Sequence, residues 1–378
     1  MDGLNRRRVL TAGAALGAAA LGAPLAGVAG AAGANRGPRV PEDTRTLDEL
    51  HQQALAEGGE LVVYAGGDIP GQQDRARQAF LSRFPGMRLT MVVDYSKFHD
   101  VRVDNQLATG TLVPDVVQLQ TVQDFVRWKR QGVLQAYKPA GSSRIHERFK
   151  DPDGAWTALS VLAFSYLYDV AATGADAPGS PAELISPRWR GRIASSYPHD
   201  DDASLYLYKL YTEAYGRSWL AGMAAQEIQF ARGSHTPRVA VDARQKEVGV
   251  GTAGSLTAPA TAPVRWAVPD GHPFVAWGQR AAILVGARHP AAARLYLSWA
   301  VSPGVQQGSF NGWSVRTDVT PPSGLRPIWA YPNAHLDGFV RFMADRAEAE
   351  RWRQTFALYF GEVVGEPTAG RLGLHPGR

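Results

Sequence analysis

The 378-residue sequence contains no cysteine. A chain without thiols can form neither a disulfide nor a thiolate metal site, and it offers no acceptor for the lipid anchor of many exported bacterial binding proteins. Catalytic signatures are also scarce, because the chain has no G-x-S-x-G elbow, no H-E-x-x-H pair and no P-loop. We therefore expect a binding protein that needs no cofactor, rather than an enzyme.

Beyond residue 34 no run is long and apolar enough to span a bilayer. Before it, three arginines at positions 6–8 precede an uncharged Ala/Gly/Leu stretch that ends in small residues. This pattern predicts a twin-arginine-type export signal over residues 1–31, cleaved after Ala31 or Ala34, with a transmembrane anchor as the alternative. We expect a soluble protein in the periplasm or outside the cell.

Positive charge is too sparse to indicate a nucleic-acid partner. The formal net charge of +5 falls to about +3 without residues 1–31, and the charged residues are scattered along the chain. Hydrophobic residues make up 45% and charged residues 20% of the sequence, which is a globular composition with enough length for two domains.

Strand and helix patterns alternate in the first half of the chain. After a linker and a first helix at residues 32–59, apolar strands are predicted at 60–64, at 89–94 and around 116–117, with helical spacing between them. Such alternation predicts a parallel sheet, and ligands bind beyond the carboxyl ends of its strands. The residues at that edge are Gly67, Asp68, Tyr95, Ser96, Gln120 and Thr121.

An acidic turn stands out in the predicted second lobe, which begins with a long strand from Trp156. His199, Asp200, Asp201 and Asp202 precede a predicted helix over 201–215. One aspartate is explained as the helix cap, whereas three adjacent carboxylates repel one another. Two interpretations remain: a solvated loop, or a cleft site for a positively charged ligand such as an amine or a divalent metal.

A metal-dependent hydrolase centred on residues 199–202 is the enzymatic alternative. Catalytic metal ligands converge on one ion, and four consecutive residues on a turn rarely do so.

Further candidate ligand contacts are Ser195, Ser196, Arg232, Thr252, Ser255, Arg265 and Trp277. Ser195 and Ser196 would place helix amides around an anion, completed by Arg232 or Arg265. Trp277 would supply an aromatic wall for a cationic or sugar-like molecule, or else pack in the core. An anion site conflicts with the acidic turn, and a zwitterionic ligand would reconcile the two.

Several stretches resemble the extracellular solute-binding proteins of ABC importers, in the branch that includes the ferric-ion-binding proteins. They include "GELVVYAGGD", "VPDVVQLQT", "SPRWRGRIASS" and the segment 263–306, and the resemblance runs from about residue 60 to 319. It implies an α/β, two-lobed fold of the type II periplasmic-binding-protein kind. Each lobe would be a mostly parallel sheet flanked by helices, joined to the other by crossing hinge strands.

The resemblance further implies that the lobes close on a small polar ligand and deliver it to an ABC permease in the membrane. We expect a monomer, with lobe 1 at residues 60–155 and 263–318 and lobe 2 at 156–262 and 319–378. A secreted scavenging protein that works without a permease is the alternative, because a lipid anchor is absent.

Ferric iron is not expected in the manner of the ferric members, which use two adjacent tyrosines and a histidine. The matching stretches here are 254–256, which reads Gly-Ser-Leu, and 66–68, which reads Gly-Gly-Asp. Tyr208 and Tyr211, which lie at helical spacing, are expected to pack in the core.

Overall fold

The computed structural model describes residues 40–255, 258–268, 270–308, 313–322 and 324–376. The predicted export signal at 1–31 and Leu256 of the ferric-site comparison lie outside these residues. The described chain belongs to one contact unit that begins at Val40. None of its helices is both long and apolar enough to cross a membrane.

The described residues contain ten β-strands. They are β1 (Glu60–Gly66), β2 (Arg88–Asp94), β3 (Val116–Leu119), β4 (Leu134–Gln135), β5 (Thr157–Asp169), β6 (Ile193–Ser196), β7 (Gln229–Ala231), β8 (Val248–Thr252), β9 (Val264–Ala267) and β10 (Val275–Leu284).

The same part of the chain forms twelve α-helices. They are α1 (Leu47–Ala56), α2 (Asp74–Arg83), α3 (Ser96–Ala108), α4 (Val122–Gln131), α5 (Val170–Thr173), α6 (Asp202–Tyr215), α7 (Arg217–Ala224), α8 (Thr236–Asp242), α9 (Pro290–Ala300), α10 (Pro303–Gly308), α11 (Leu336–Ala344) and α12 (Arg346–Phe360).

The sheet of the first lobe has the strand order β2-β1-β3-β10-β5, and β4 pairs with β10. The β1 strand is parallel to β2 and β3, whereas β10 runs antiparallel to β3 and β5. Apolar side chains of β1, such as Val63, pack with Phe80 of α2 and Leu295 of α9. The predicted α/β class, with helices flanking the sheet, is therefore confirmed, and the sheet is mixed, because β10 pairs antiparallel with β3, β4 and β5.

The β5 strand crosses from the first sheet into the second. Its first half, 157–164, pairs with β10, and its second half pairs with β8 and β9. This is the geometry of a hinge strand that joins two lobes. The β9 strand at Val264–Ala267 lies in the second sheet, whereas the sequence predicted that it returns to the first lobe; β10 makes that return.

The second sheet is built by β6, which runs parallel to both β7 and β8. Its core packs around α6, which carries the tyrosine-rich run of the sequence. Tyr208 and Tyr211 are both fully buried, which confirms that they are packing residues. Phe356 of α12 contacts the Tyr208 ring, with centroids 5.9 Å apart, so α12 covers the same core.

After α12 the chain leaves the second lobe and lies against the first. The Asp94 carboxylate accepts hydrogen bonds from Thr368 Oγ1 and from the Gly370 amide. Arg102 on α3 donates to the Arg371 carbonyl at 2.7 Å and to the Gly373 carbonyl at 2.9 Å. This segment departs from the expectation that residues 319–378 stay on the second lobe.

Candidate functional site

A cleft of about 130 Å³ lies where the two lobes meet. Its first wall follows the ends of β1, β2 and β3 and is formed by Asp68, Gln72, Tyr95, Ser96, Lys97, Gln120 and Thr121. Its second wall belongs to the other lobe and is formed by Asp200, Asp201, Asp202, Ala203, Gly233, Ser234 and Ala253. Between them lie the apolar side chains of Leu162, Phe164, Trp277 and Phe339.

The first wall depends on a close approach of three loops. Ser96 Oγ donates to Gln120 Oε1 at 2.9 Å and accepts from the Gln120 amide at 3.0 Å. A methyl group at Gly66 would overlap Ser96 Oγ and lie 2.7 Å from Gln120 Oε1. Glycine at position 66 is therefore what allows these loops to join.

Tyr95 reaches the cleft as a neutral phenol. Burial, together with the charges of Asp68 and Asp200, raises the pKa of Tyr95 to about 12. Lys97 lies over its ring, with Nζ 5.4 Å from the centroid. Among the residues that the structure describes, Tyr95 is the only tyrosine that lines the cleft. The pair of phenolates that characterises the ferric members is therefore not formed by the described lining.

The amino terminus of α6 lies on the second wall and is capped by Asp201. The Ser204 amide donates to Asp201 Oδ1 at 2.7 Å, which confirms the predicted helix cap. Burial, reinforced by the charge of Asp68, raises the pKa of Asp201 to about 7. A negative charge on Asp201 is therefore disfavoured.

The other two aspartates of the turn are paired with cations. Asp200 Oδ1 lies 2.6 Å from Lys97 Nζ, and Asp200 Oδ2 lies 3.7 Å from Arg232 Nε. Asp202 forms an ion pair with Arg353 of α12. The three carboxylates thus point to different partners. Within the described ranges, no group of three His, Asp or Glu side chains could hold a metal ion.

Two contacts join the walls across the cleft. Asp68 of the first lobe accepts from the Ser234 amide at 3.0 Å and from Ser234 Oγ at 2.5 Å. Lys97, also of the first lobe, contacts Asp200 of the second, as described above. Both contacts connect loops that follow strands of different sheets, so they hold the two lobes together over the cleft.

Two hydrogen-bonding groups of the described lining, one on the first wall and one in the apolar part, have no partner. Trp277 is 3% exposed and packs edge-on against Phe164, with ring centroids 5.0 Å apart. Its Nε1 donor, like Thr121 Oγ1, makes no hydrogen bond to any described residue. A buried polar group without a partner is unfavourable, so both groups are available to a bound molecule.

Nine of the predicted site residues line this cleft: Asp68, Tyr95, Ser96, Gln120, Thr121, Asp200, Asp201, Asp202 and Trp277. Eight predicted residues lie outside its lining: Gly67, Ser195, Ser196, His199, Arg232, Thr252, Ser255 and Arg265.

The serine pair fails as an anion site because its hydroxyls are used inside the lobe. Ser195 Oγ contacts Tyr208 Oη at 2.8 Å, and Ser196 Oγ contacts Ser204 Oγ at 2.6 Å. Arg265 is exposed and donates to the Ala260 carbonyl at 2.7 Å. The anion site predicted from these residues is therefore not assembled at the cleft.

Three more predicted residues stand behind the lining rather than in it. Arg232 acts on the cleft through Asp200, at the distance given above. Thr252 is buried as the last residue of β8, and its neighbour Ala253 faces the cleft instead. His199 packs edge-on against Tyr197, and burial lowers the pKa of its imidazole.

Sequence reasoning missed several lining residues, among them Lys97, Ser234 and Phe339. Lys97 directly follows the predicted Tyr95 and Ser96, so its position on the first turn of α3 was a usable signal. Ser234 follows β7, a strand of three residues that is too short to show a pattern. Phe339 comes from α11, which lies beyond the resemblance, and nothing in its local sequence marks it.

These features define a two-lobed α/β protein with a ligand cleft between its lobes, the type II periplasmic-binding-protein fold. The sequence model of one family, described as "Bacterial extracellular solute-binding protein", matches residues 113–307, more than half of the chain. The chain belongs to this family. No curated protein matches it significantly in sequence.

Solved structures with the same fold include iron-bound HitA from Pseudomonas aeruginosa, at 16% identity and a TM-score of 0.62 over 79% of this chain and 99% of that one. AfuA from Actinobacillus pleuropneumoniae, with fructose-6-phosphate bound, is 16% identical with a TM-score of 0.63 over 80% of this chain and 99% of that one. The substrate-binding protein of an ABC transporter from Agrobacterium tumefaciens is 16% identical, with a TM-score of 0.64 over 79% and 94%.

Proposed function

We propose that this protein is exported, captures a small polar solute in the cleft between its lobes and delivers it to an ABC permease. The observation that carries the proposal is the cleft itself, lined by both lobes and crossed by the Asp68–Ser234 and Lys97–Asp200 contacts. Contacts of this kind form when two lobes close around a ligand. Family membership supports binding rather than catalysis.

The cleft differs from what the ligands of two structural relatives would require. HitA is iron-bound and AfuA holds fructose-6-phosphate. Here the described lining contains one tyrosine, which stays protonated, and it carries four aspartates against one lysine that Asp200 already pairs. Phosphate recognition relies on free arginine, lysine or amide donors. We therefore infer a solute that is neutral or positively charged.

Native mass spectrometry of protein purified from its own host tests this function, together with solute uptake by a strain that lacks the gene. We expect a small molecule to co-purify, to raise the melting temperature in proportion to the logarithm of its concentration, and to be taken up more slowly by the deletion strain. A protein that carries no molecule and responds to no solute would contradict the proposal. Binding with unchanged uptake would instead identify the scavenging alternative.

A further inference from the structure

The four aspartates of the cleft fall into two classes. Asp200 and Asp202 are neutralised by Lys97, Arg232 and Arg353. Asp68 and Asp201, by contrast, have no lysine or arginine of the described chain within ion-pair distance. The Nδ1 atom of His235, at 3.9 Å, is the nearest basic atom to Asp68 Oδ2. The cleft therefore contains two carboxylates that accept hydrogen bonds from the protein but form no ion pair with a described lysine or arginine.

These two carboxylates come from opposite lobes. Asp68 follows β1, and Asp201 caps α6. The two carboxylates line one cleft, and the charge of Asp68 disfavours ionisation of Asp201. A cation between them would remove this repulsion, and it would stabilise the closed form more than the open form.

The rest of the cleft is shaped for an organic molecule rather than for a bare ion. Trp277, Phe164 and Phe339 form an aromatic surface, with Trp277 5.0 Å from Phe164 and 5.4 Å from Phe339 between ring centroids. Trp277 and Thr121 are each more than nine-tenths buried, and Trp277 Nε1 and Thr121 Oγ1 have no hydrogen-bond partner in the described chain. Each of these atoms could therefore form a hydrogen bond with a polar atom of the ligand. A volume of about 130 Å³ is close to that of an apolar cavity of roughly 150 Å³ that holds one benzene molecule.

We propose that Asp68 and Asp201 clamp the positively charged nitrogen of a small organic amine, whose apolar body packs against Trp277, Phe164 and Phe339. This assignment rests on the proposed function and names the solute class for the same cleft. The amine enters between the open lobes, and its charge replaces the repulsion between the two carboxylates with two charge-assisted hydrogen bonds. Trp277 Nε1 then donates to an oxygen or a nitrogen elsewhere on the molecule.

A matched set of probes tests the charge requirement. Tyramine and agmatine supply cations that carry N–H donors, and 3-(4-hydroxyphenyl)propionate keeps the body of tyramine with the opposite charge. We expect at least one amine to raise the melting temperature of the mature protein and the matched carboxylate to have no effect. A panel in which no amine binds, or in which fructose-6-phosphate or Ca²⁺ binds instead, overturns the assignment.

Two variants test the residues. Asp68→Asn and Asp201→Asn keep the shape of each side chain and should each weaken amine binding at least tenfold by isothermal titration calorimetry. Asp242→Asn removes an exposed carboxylate that pairs with Arg238 outside the cleft, so it should leave affinity unchanged. Circular dichroism melts establish that each variant folds. Full affinity in both cleft variants would overturn the clamp.

The failure of this assignment is distinguishable from failure of the proposed function. A co-purified solute without a positive charge, bound in the cleft and lost from uptake in the deletion strain, would refute the amine and leave the transport function intact. The absence of any bound solute and of any uptake defect would refute both.

Discussion

The two walls of the cleft differ in where their lining residues stand relative to the strands that support them. On the first wall, Asp68, Tyr95 and Gln120 lie one or two residues beyond the ends of β1, β2 and β3. On the second wall, Ser195 and Ser196 are the last residues of β6, and the lining begins only at Asp200.

This difference shows that side chains within a strand bond inside their own lobe, whereas side chains just beyond the strand line the cleft. Ser196 is held by its own lobe, because its hydroxyl bonds Ser204 Oγ and the Gly251 carbonyl. Ala253, the first residue after β8, faces the cleft, whereas Thr252 within the strand does not. In both lobes the lining residues that follow parallel strands lie beyond the carboxyl ends of those strands, where ligands bind in open α/β sheets, and not within them.

The largest expected effect comes from breaking the support of the first wall at Arg102. Its guanidinium pairs with Asp94 at 2.7 Å, and the two side chains are 5% and 1% exposed. Arg102→Ala leaves the Asp94 carboxylate buried without its cation, which should cost about 3 to 5 kcal/mol of unfolding free energy. Urea denaturation measures the loss as a lower midpoint.

Arg88→Ala is the matched control, because Arg88 pairs with Glu60 on the surface, where the side chains are 66% and 52% exposed. We expect a loss of about 1 kcal/mol or less. Equal losses in the two variants would show that the buried pair does not support the first wall.

A medium effect is expected from Ser195→Ala on the second wall. This change leaves the fully buried Tyr208 hydroxyl without its partner and should cost about 1 to 3 kcal/mol of stability. Affinity for the co-purified solute should stay within twofold, because the Ser195 hydroxyl does not reach the cleft. A loss of affinity in Ser195→Ala would instead support the interpretation of Ser195 as part of an anion site.

Thr121→Val on the first wall should show the opposite pattern. Its free energy of unfolding should be unchanged, and its affinity for the co-purified solute should be lower.

A further difference between the walls is a pH dependence that resides in Asp201. Burial and the facing carboxylates Asp68 and Asp202 raise its pKa from 3.8 to about 7, while hydrogen bonds from Ser204 act in the opposite direction. The folded protein therefore retains a proton that the unfolded chain loses, so stability falls as the pH rises from about 4 to about 7.

Asp201→Asn should lack this component. The difference in unfolding free energy between the native protein and this variant should shift against the native protein between pH 4.5 and pH 7.5, as chemical denaturation at both pH values measures. A difference that is independent of pH would contradict the raised pKa.

Much of the fold could be predicted from local patterns. The α1 helix over Leu47–Ala56 has a Thr46 and Glu49 capping box, and β1, β2 and β3 read as apolar runs between turn residues. The long β5 strand was recognisable by its length and composition. The course of β9 and of the C-terminal segment was not, because both depend on which distant strand or helix they meet.

The candidate site was predictable to the level of loops. Strand ends identified the loops around Asp68, Tyr95 and Gln120, and charge identified the acidic turn. The sequence could not predict which aspartate of that turn has no cationic partner. Lys97 and Arg353 form ion pairs with Asp200 and Asp202, and each lies more than a hundred residues away from its partner in sequence.

The sequence by itself determined the class of fold, the absence of thiol chemistry and the loops that could meet a ligand, because periodicity, composition and turn residues act locally along the chain. Only the tertiary structure decided which side chains face the cleft. Burial, the pairing of charges and the approach of Asp68 to Ser234 arise between residues far apart in sequence, and these contacts leave Asp68 and Asp201 without a cation.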